Sequence, residues 1–460
     1  MKNCTQRNFG SRLKKQKKFC FLRTYSYLCP RKMEYNTTTL PNGLRVIHLP
    51  APGQPVVYCG YAIAAGTRHE LPGEEGLAHF VEHTTFKGTA RRSAMQILNC
   101  LESVGGDLNA FTTKEHTVYY AAVLREHVNR AVDLLTDIVF NSTYPQAELD
   151  KEKEVICDEI ESYNDTPSEL IYDEFENLLF RGHPLGHNIL GNREQLQTYT
   201  TADALRFARR HYRPDNAVFF MYGGEPHTAK TQAHPRPLPK GGEFGMTQGL
   251  KVLSAISPSN VSKLPSPSGG AGGGFHPSLG EGQGVGFSFH QSHVMLGART
   301  FGFDDARRMP LFLLNNILGG PGMNARLNLA LRERRGLVYT VESSMTTYAD
   351  TGTWAVYFGC DHEDTKRCLR LVQHELQRFV DRPLSDRQLA AAKRQLKGQL
   401  AIAADNREQF ALDMARTFLH EHREHHMSHL FCQIDAVTAA QVQQVAQQLF
   451  APDRLQTLIL

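Results

Sequence analysis

One order of strands and helices runs through this chain twice. Residues 56–64 read as a buried strand, and a helix follows from near Gly76. Residues 95–104 read as a second helix, 107–113 and 117–123 as a hairpin, and 125–140 as a third helix. The order then returns as strand 293–298, helices 309–318 and 324–334, hairpin strands 339–346 and 353–358, and helix 365–379. Such self-similarity means one supersecondary unit is used twice. In helix 125–140, Val128, Ala131, Val132, Leu135, Ile138 and Val139 recur at helical spacing, so one face is core. Asn42-Gly43 marks a tight turn between two further short strands. The expected fold class is therefore α+β. It comprises two homologous domains, each an antiparallel-rich sheet packed with helices.

The two copies differ where the first carries His79-Phe80-Val81-Glu82-His83. Positions four apart on a helix lie one turn above each other, so His79 and His83 can offer two imidazoles to one metal ion. Glu82 falls beside them without being needed as a ligand. This is the H-x-x-E-H pattern, the inverse of the H-E-x-x-H zinc helix. The second copy has Leu313-Leu314-Asn315-Asn316 in the analogous helix, so a single metal site is expected. Taken alone, the motif also fits two surface histidines on an ordinary helix. A catalytic zinc normally has three protein ligands. Seventy-five residues separate His83 from Glu159, and Glu152 lies seven positions before Glu159, about two turns along one helix face.

Together, these motifs and their spacing resemble the pitrilysin/insulinase family of zinc peptidases, above all its single-length members of the mitochondrial-processing-peptidase type. The resemblance covers about residues 37–222 and 286–460. It implies that His79, His83 and Glu159 bind one Zn2+ per chain, that Glu82 is the general base, and that Glu152 supports the site. It makes the strand of Asn109, Ala110 and Phe111 a sheet edge that takes up a peptide as an added strand. It also pairs Arg332 with Tyr339, which reach the zinc site from the opposite lobe and hold substrate and oxyanion. The chain would be half of a clamshell, and two chains would close around a chamber that admits peptides and unstructured segments. The implied activity is zinc-dependent endopeptidase. The implied partner is a second copy, with a heterodimer containing an inactive homologue left open. The competing reading is a non-catalytic family member serving as a partner or core subunit.

Four segments follow. Residues 1–36 form a basic leader, 37–222 the zinc-binding catalytic domain, 223–285 a linker, and 286–460 the second domain. Residues 1–32 carry ten Lys or Arg and no acid, and Arg23 interrupts their one apolar run. A disordered leader, a transit peptide or an over-long start all fit. Removing those ten charges turns the formal net charge from +4 to −6. A mildly acidic body suits cationic peptides better than nucleic acid. Of the 62 residues 224–285, 13 are Gly and 8 are Pro, which reads as linker or disorder. No run approaches the roughly 18 apolar residues of a membrane span. Nine cysteines without a Cys-x-x-Cys point to a reducing compartment: the cytoplasm or, alternatively, the mitochondrial matrix. Cys157 is expected in the core, facing away from Glu159. The histidine-rich stretch 420–429 shows no zinc spacing and reads as a solvated helix segment.

Overall fold

The computed structural model describes residues 34–224 and 291–460. The leader up to residue 33 and most of the linker lie outside the described residues. The first half contains β1 (Asn36–Thr39), β2 (Arg45–Leu49), β3 (Val56–Ile63), α1 (Leu77–Thr85), α2 (Ala94–Glu102), β4 (Asp107–Thr112), β5 (Thr117–Leu124), α3 (Val128–Asn141), α4 (Gln146–Asn164), α5 (Pro167–Leu179), α6 (Arg193–Thr198), α7 (Thr201–His211) and β6 (Ala217–Tyr222). The second contains β7 (Ser292–Phe301), α8 (Arg308–Gly319), β8 (Val338–Thr347), β9 (Thr351–Cys360), α9 (Thr365–Asp381), α10 (Asp386–Ala403), α11 (Arg407–His420), α12 (Met427–Ala436), α13 (Ala439–Leu449) and β10 (Gln456–Ile459). The fold is α+β with two similar domains.

The strand orders are β1-β2-β6-β3-β5-β4 and β10-β7-β9-β8. Remove the β1–β2 hairpin and the sheets superimpose in order: β6 on β10, β3 on β7, β5 on β9, β4 on β8. Only β2 and β6 pair parallel; every other pair is antiparallel. The repeat therefore runs past residue 140 to the closing strand of each domain.

Each domain lends one helix to the other. On one face of the first sheet, α1, α3, α4 and α7 bury Leu77, Phe80, Leu135, Ile156 and Phe207. The opposite face is covered by α11, whose Phe410, Met414 and Leu419 pack on Ile47, Val118 and Phe220. Reciprocally, Ile171, Phe175 and Leu179 of α5 pack on Met295, Ala355 and Tyr357 of the second sheet. Polar contacts follow the same seam. Arg68 joins Glu115 and Asp350 at 2.6 Å each, and the Tyr348 hydroxyl donates to Glu176 at 2.8 Å.

Two expectations change here. Residues 420–429 are not a solvated helix segment. Helix α11 ends at His420, the chain turns through a left-handed His422 (φ +52°), and α12 begins at Met427. His420 is half-buried against Phe303, and its Nε2 lies 3.1 Å from His116 Nδ1 in the first domain. Secondly, 324–334 is not a plain α-helix; Asn328–Glu333 is a π-helical turn.

The His116–His420 contact gives a pH-dependent seam. Burial, then neighbouring His420 and Arg416, push His116 down to about 3; burial, then Arg416 and His69, push His420 down to about 4. Both are neutral at pH 7. Below the unfolded value of 6.5, the unfolded chain binds protons that the folded chain does not. Stability must then fall as pH drops through that window, by about 1.4 kcal/mol per pH unit for each histidine. Urea midpoints at pH 7 and pH 5 check this, and His420→Asn should make the decline shallower.

Candidate metal centre

Helix α1 has no side-chain cap at Gly76, whose φ is +86°. Its inner face buries Leu77, Ala78, Phe80 and Val81 in the first core. That packing leaves His79 and His83 together on the opposite side, with ring centroids 4.5 Å apart. Helix α4 crosses them and delivers both carboxylates. His83 Nε2 lies 3.5 Å from Glu159 Oε2, and His79 Nε2 lies 3.9 Å from the same oxygen. One donor atom from each of His79, His83 and Glu159 falls within 4.8 Å of the others. Donors around tetrahedral zinc, at about 2.1 Å from the ion, sit roughly 3.4 Å apart, so the set is close to closing on one ion.

The chemistry of the donors fits too. Burial, then the charge of His83, push the His79 pKa down to about 3, so His79 is a neutral imidazole. Its buried Nδ1 has no partner among the described residues. His83 Nδ1 hydrogen-bonds Glu152 Oε1 at 3.1 Å, which leaves Nε2 facing Glu159. Burial lowers the His83 pKa, but Glu152, Glu82 and Glu159 outweigh it, and the net shift is upward. The Glu159 carboxylate is 44% exposed, open toward solvent beside the histidines. Cys157 points the other way, into the core.

Glu82 stands outside this triad. It is buried, and its Oε2 accepts from Thr112 Oγ1 at 2.9 Å. Burial raises its pKa, against the opposing pull of His83 and Thr112. Thr112 ends β4, which pairs only with β5 and leaves its other edge open among the described strands. Asn109, Ala110 and Phe111 lie on that edge strand. A groove of about 970 Å³ opens beside it, with Phe111, Thr112, Glu176 and Tyr348 in its walls.

Arg332 and Tyr339 are not brought to the triad within one chain. They line a separate groove of about 560 Å³ on the second domain, with Asn316, Asn328 and Gln399. Both stand on backbone irregularities. Arg332 lies in the π-helical turn, and Tyr339 in a β-bulge between Val338 and Val341. Bulges re-aim side chains, and Tyr339 is 82% exposed.

The structure also adds residues that the motifs do not announce. Lys87 Nζ lies 2.5 Å from Glu152 Oε2, forming a chain from Lys87 through Glu152 to His83. Burial alone would raise the Glu152 pKa, but His83 and Lys87 hold it low, so it stays an anion. Lys87 sits one turn past His83, and that spacing is the only signal in the sequence. Partners of this kind typically hold 10–100-fold in metal affinity. Lys87→Met should therefore weaken zinc binding about tenfold, measured by competition with a chromophoric chelator.

Comparison with known proteins follows the same division. Residues 45–193 match the family model described as insulinase (peptidase family M16), and 276–396 match the peptidase M16 inactive domain. A protein of Mycobacterium leprae named as an uncharacterized zinc protease is 33% identical over 418 residues, covering 90% of this chain and 88% of its own. A Bacillus subtilis protein, also named as an uncharacterized zinc protease, is 30% identical over 423 residues, covering 92% and 97%. In fold, the chain is similar to a protease from Helicobacter pylori, with TM-score 0.76 at 19% identity, covering 93% of this chain and 99% of that one. A Pseudomonas fluorescens structure described as a peptidase M16 inactive domain also gives 0.76, at 21% identity, covering 93% and 97%. On these matches, the chain belongs to the insulinase family, peptidase family M16.

Proposed function

We propose that this chain is a zinc-dependent endopeptidase that hydrolyses peptides or unstructured segments. The observation that carries the reading is the convergence of His79, His83 and Glu159 with Glu82 beside them. The two imidazoles and the Glu159 carboxylate would hold the ion. Zinc, when bound there, makes a coordinated water acidic near neutral pH and polarises the scissile carbonyl. Glu82 takes the proton of the attacking water and delivers it to the leaving amine. Thr112 fixes the Glu82 carboxylate for that transfer, and its strand carries the open edge where the peptide backbone docks. Lys87 and Glu152 keep the His83 ring in one orientation.

Arg332 and Tyr339 would complete the site from a second copy of the chain. Donors aimed at a developing oxyanion contribute about 3–4 kcal/mol each. A homodimer supplies them because one chain carries both sets of residues; a heterodimer with an inactive homologue is the alternative. No helix among the described residues is long and apolar enough to cross a membrane. The cysteine pattern favours work in a reducing compartment, the cytoplasm or, alternatively, the mitochondrial matrix.

The second reading, a non-catalytic family member, draws on the match of residues 276–396 to a model described as inactive. That segment lies in the half without the metal motif, so it does not bear on Glu82 or the triad. A fluorogenic peptide assay separates the readings. Cleavage should stop with chelator and return with added zinc. A purified, zinc-loaded chain that cuts no peptide would favour the non-catalytic reading.

A further inference from the structure

Helix α1 is only nine residues long, and it begins without a cap from its own N-cap residue. Glu70, six residues before Gly76, supplies one from outside. Its Oε1 accepts from Ala78 N at 2.8 Å and its Oε2 from Gly76 N at 3.1 Å. The same Oε2 receives His187 Nε2 at 2.8 Å. The Glu70 side chain is 1% exposed, so three donors converge on a carboxylate cut off from water. Buried carboxylates persist only when satisfied in this way, and a helix N-terminus favours the negative charge.

His187 belongs to the loop that follows α5. Next to it, Gly191 presses on the start of the helix; a Cβ there would lie 2.5 Å from Glu75 O, and one on Gly76 would lie 2.7 Å from Leu190 O. The His187 carbonyl accepts from Lys114 Nζ. Lys114 lies in the β4–β5 turn, two residues after Thr112, which holds Glu82. The start of the metal helix and the loop thus meet at the Glu70 carboxylate, and the hairpin bearing the open edge joins them through the His187 carbonyl. His79 is the residue immediately after Ala78, so the amide that Glu70 holds adjoins a metal ligand.

The geometry points to Glu70 and His187 as positioning residues that set where the first turn of the metal helix sits relative to α4 and the edge strand. This rests on the zinc reading above. A first turn freed from Glu70 would shift His79 against His83 and Glu159. Sites of this kind tolerate only about 0.5 Å of such drift.

The test uses the full chain with zinc alone as probe, in competition with a chromophoric chelator. His187→Ala removes the donor, and His187→Gln replaces it with an amide N–H. His187→Ala should weaken zinc affinity about 10–100-fold and lower kcat with KM nearly unchanged, while His187→Gln recovers most of both. A purely structural role would lower the melting temperature of the metal-free chain without changing zinc affinity. His187→Ala with wild-type zinc affinity would overturn the proposal, as would alanine and glutamine variants impaired alike. Failure of the parent reading looks different: the wild-type chain itself would then bind zinc no better than Glu159→Ala.

Discussion

Glu82→Gln should lower kcat by roughly a hundred- to ten-thousand-fold, the usual contribution of a positioned general base, while zinc content stays at one ion per chain. The amide keeps the size of the carboxylate and can still accept from Thr112, whose hydroxyl sits 2.9 Å from Glu82 Oε2. What it loses is the capacity to take a proton. KM should change little, because Glu82 lies outside β4, the edge strand proposed to take up the peptide backbone. Steady-state kinetics with a fluorogenic peptide, paired with metal analysis of the same sample, checks both halves. A variant that binds zinc and cuts at the normal rate removes Glu82 from the mechanism.

Glu159→Ala should cost most of the metal. The triad has two imidazoles and one carboxylate, so this substitution deletes its only carboxylate donor. Total binding free energies of about 10–16 kcal/mol for four-ligand structural zinc sites imply roughly 2.5–4 kcal/mol per ligand, or about two to three decades in affinity. Peptide cleavage at limiting zinc should fall by the same factor and recover in part at high zinc. Glu159 is 44% exposed and makes no core contact, so the metal-free melting temperature should barely move. An unchanged zinc affinity would take Glu159 out of the coordination shell.

How much of this was legible follows from how local each relation is. The pairing of His79 with His83 is a property of one helical turn, so the letters alone carry it. The meeting of Glu159 with both imidazoles is a contact between α1 and α4. Spacing could suggest a shared face for Glu152 and Glu159, but only the family resemblance named Glu159 as the third ligand. Thr112, Glu70 and His187 escaped because each acts through a tertiary contact with no periodic signature, and the one-turn spacing of Lys87 from His83 does not announce its contact with Glu152.

The same limit shaped the reading of the fold. Strand and helix patterns revealed the repeat to residue 140, where apolar spacing is strong. The exchange of α5 and α11 was not legible, since an amphipathic pattern tells which face is buried but not which sheet buries it. The histidines at 420–429 look polar as letters, yet His420 is held against His116 and Phe303 by that exchange. Arg332 and Tyr339 were found by resemblance. The π-turn and the β-bulge beneath them are departures from regular spacing, which a periodicity argument passes over.

X-ray absorption at the zinc edge of the purified chain tests the coordination shell itself. With metal analysis giving one zinc per chain, the expected spectrum shows nitrogen and oxygen donors at about 2.0–2.1 Å and the multiple scattering of two imidazoles. Sulfur scattering near 2.3 Å, or zinc held as tightly in Glu159→Ala as in the wild type, would contradict a shell built from His79, His83 and Glu159.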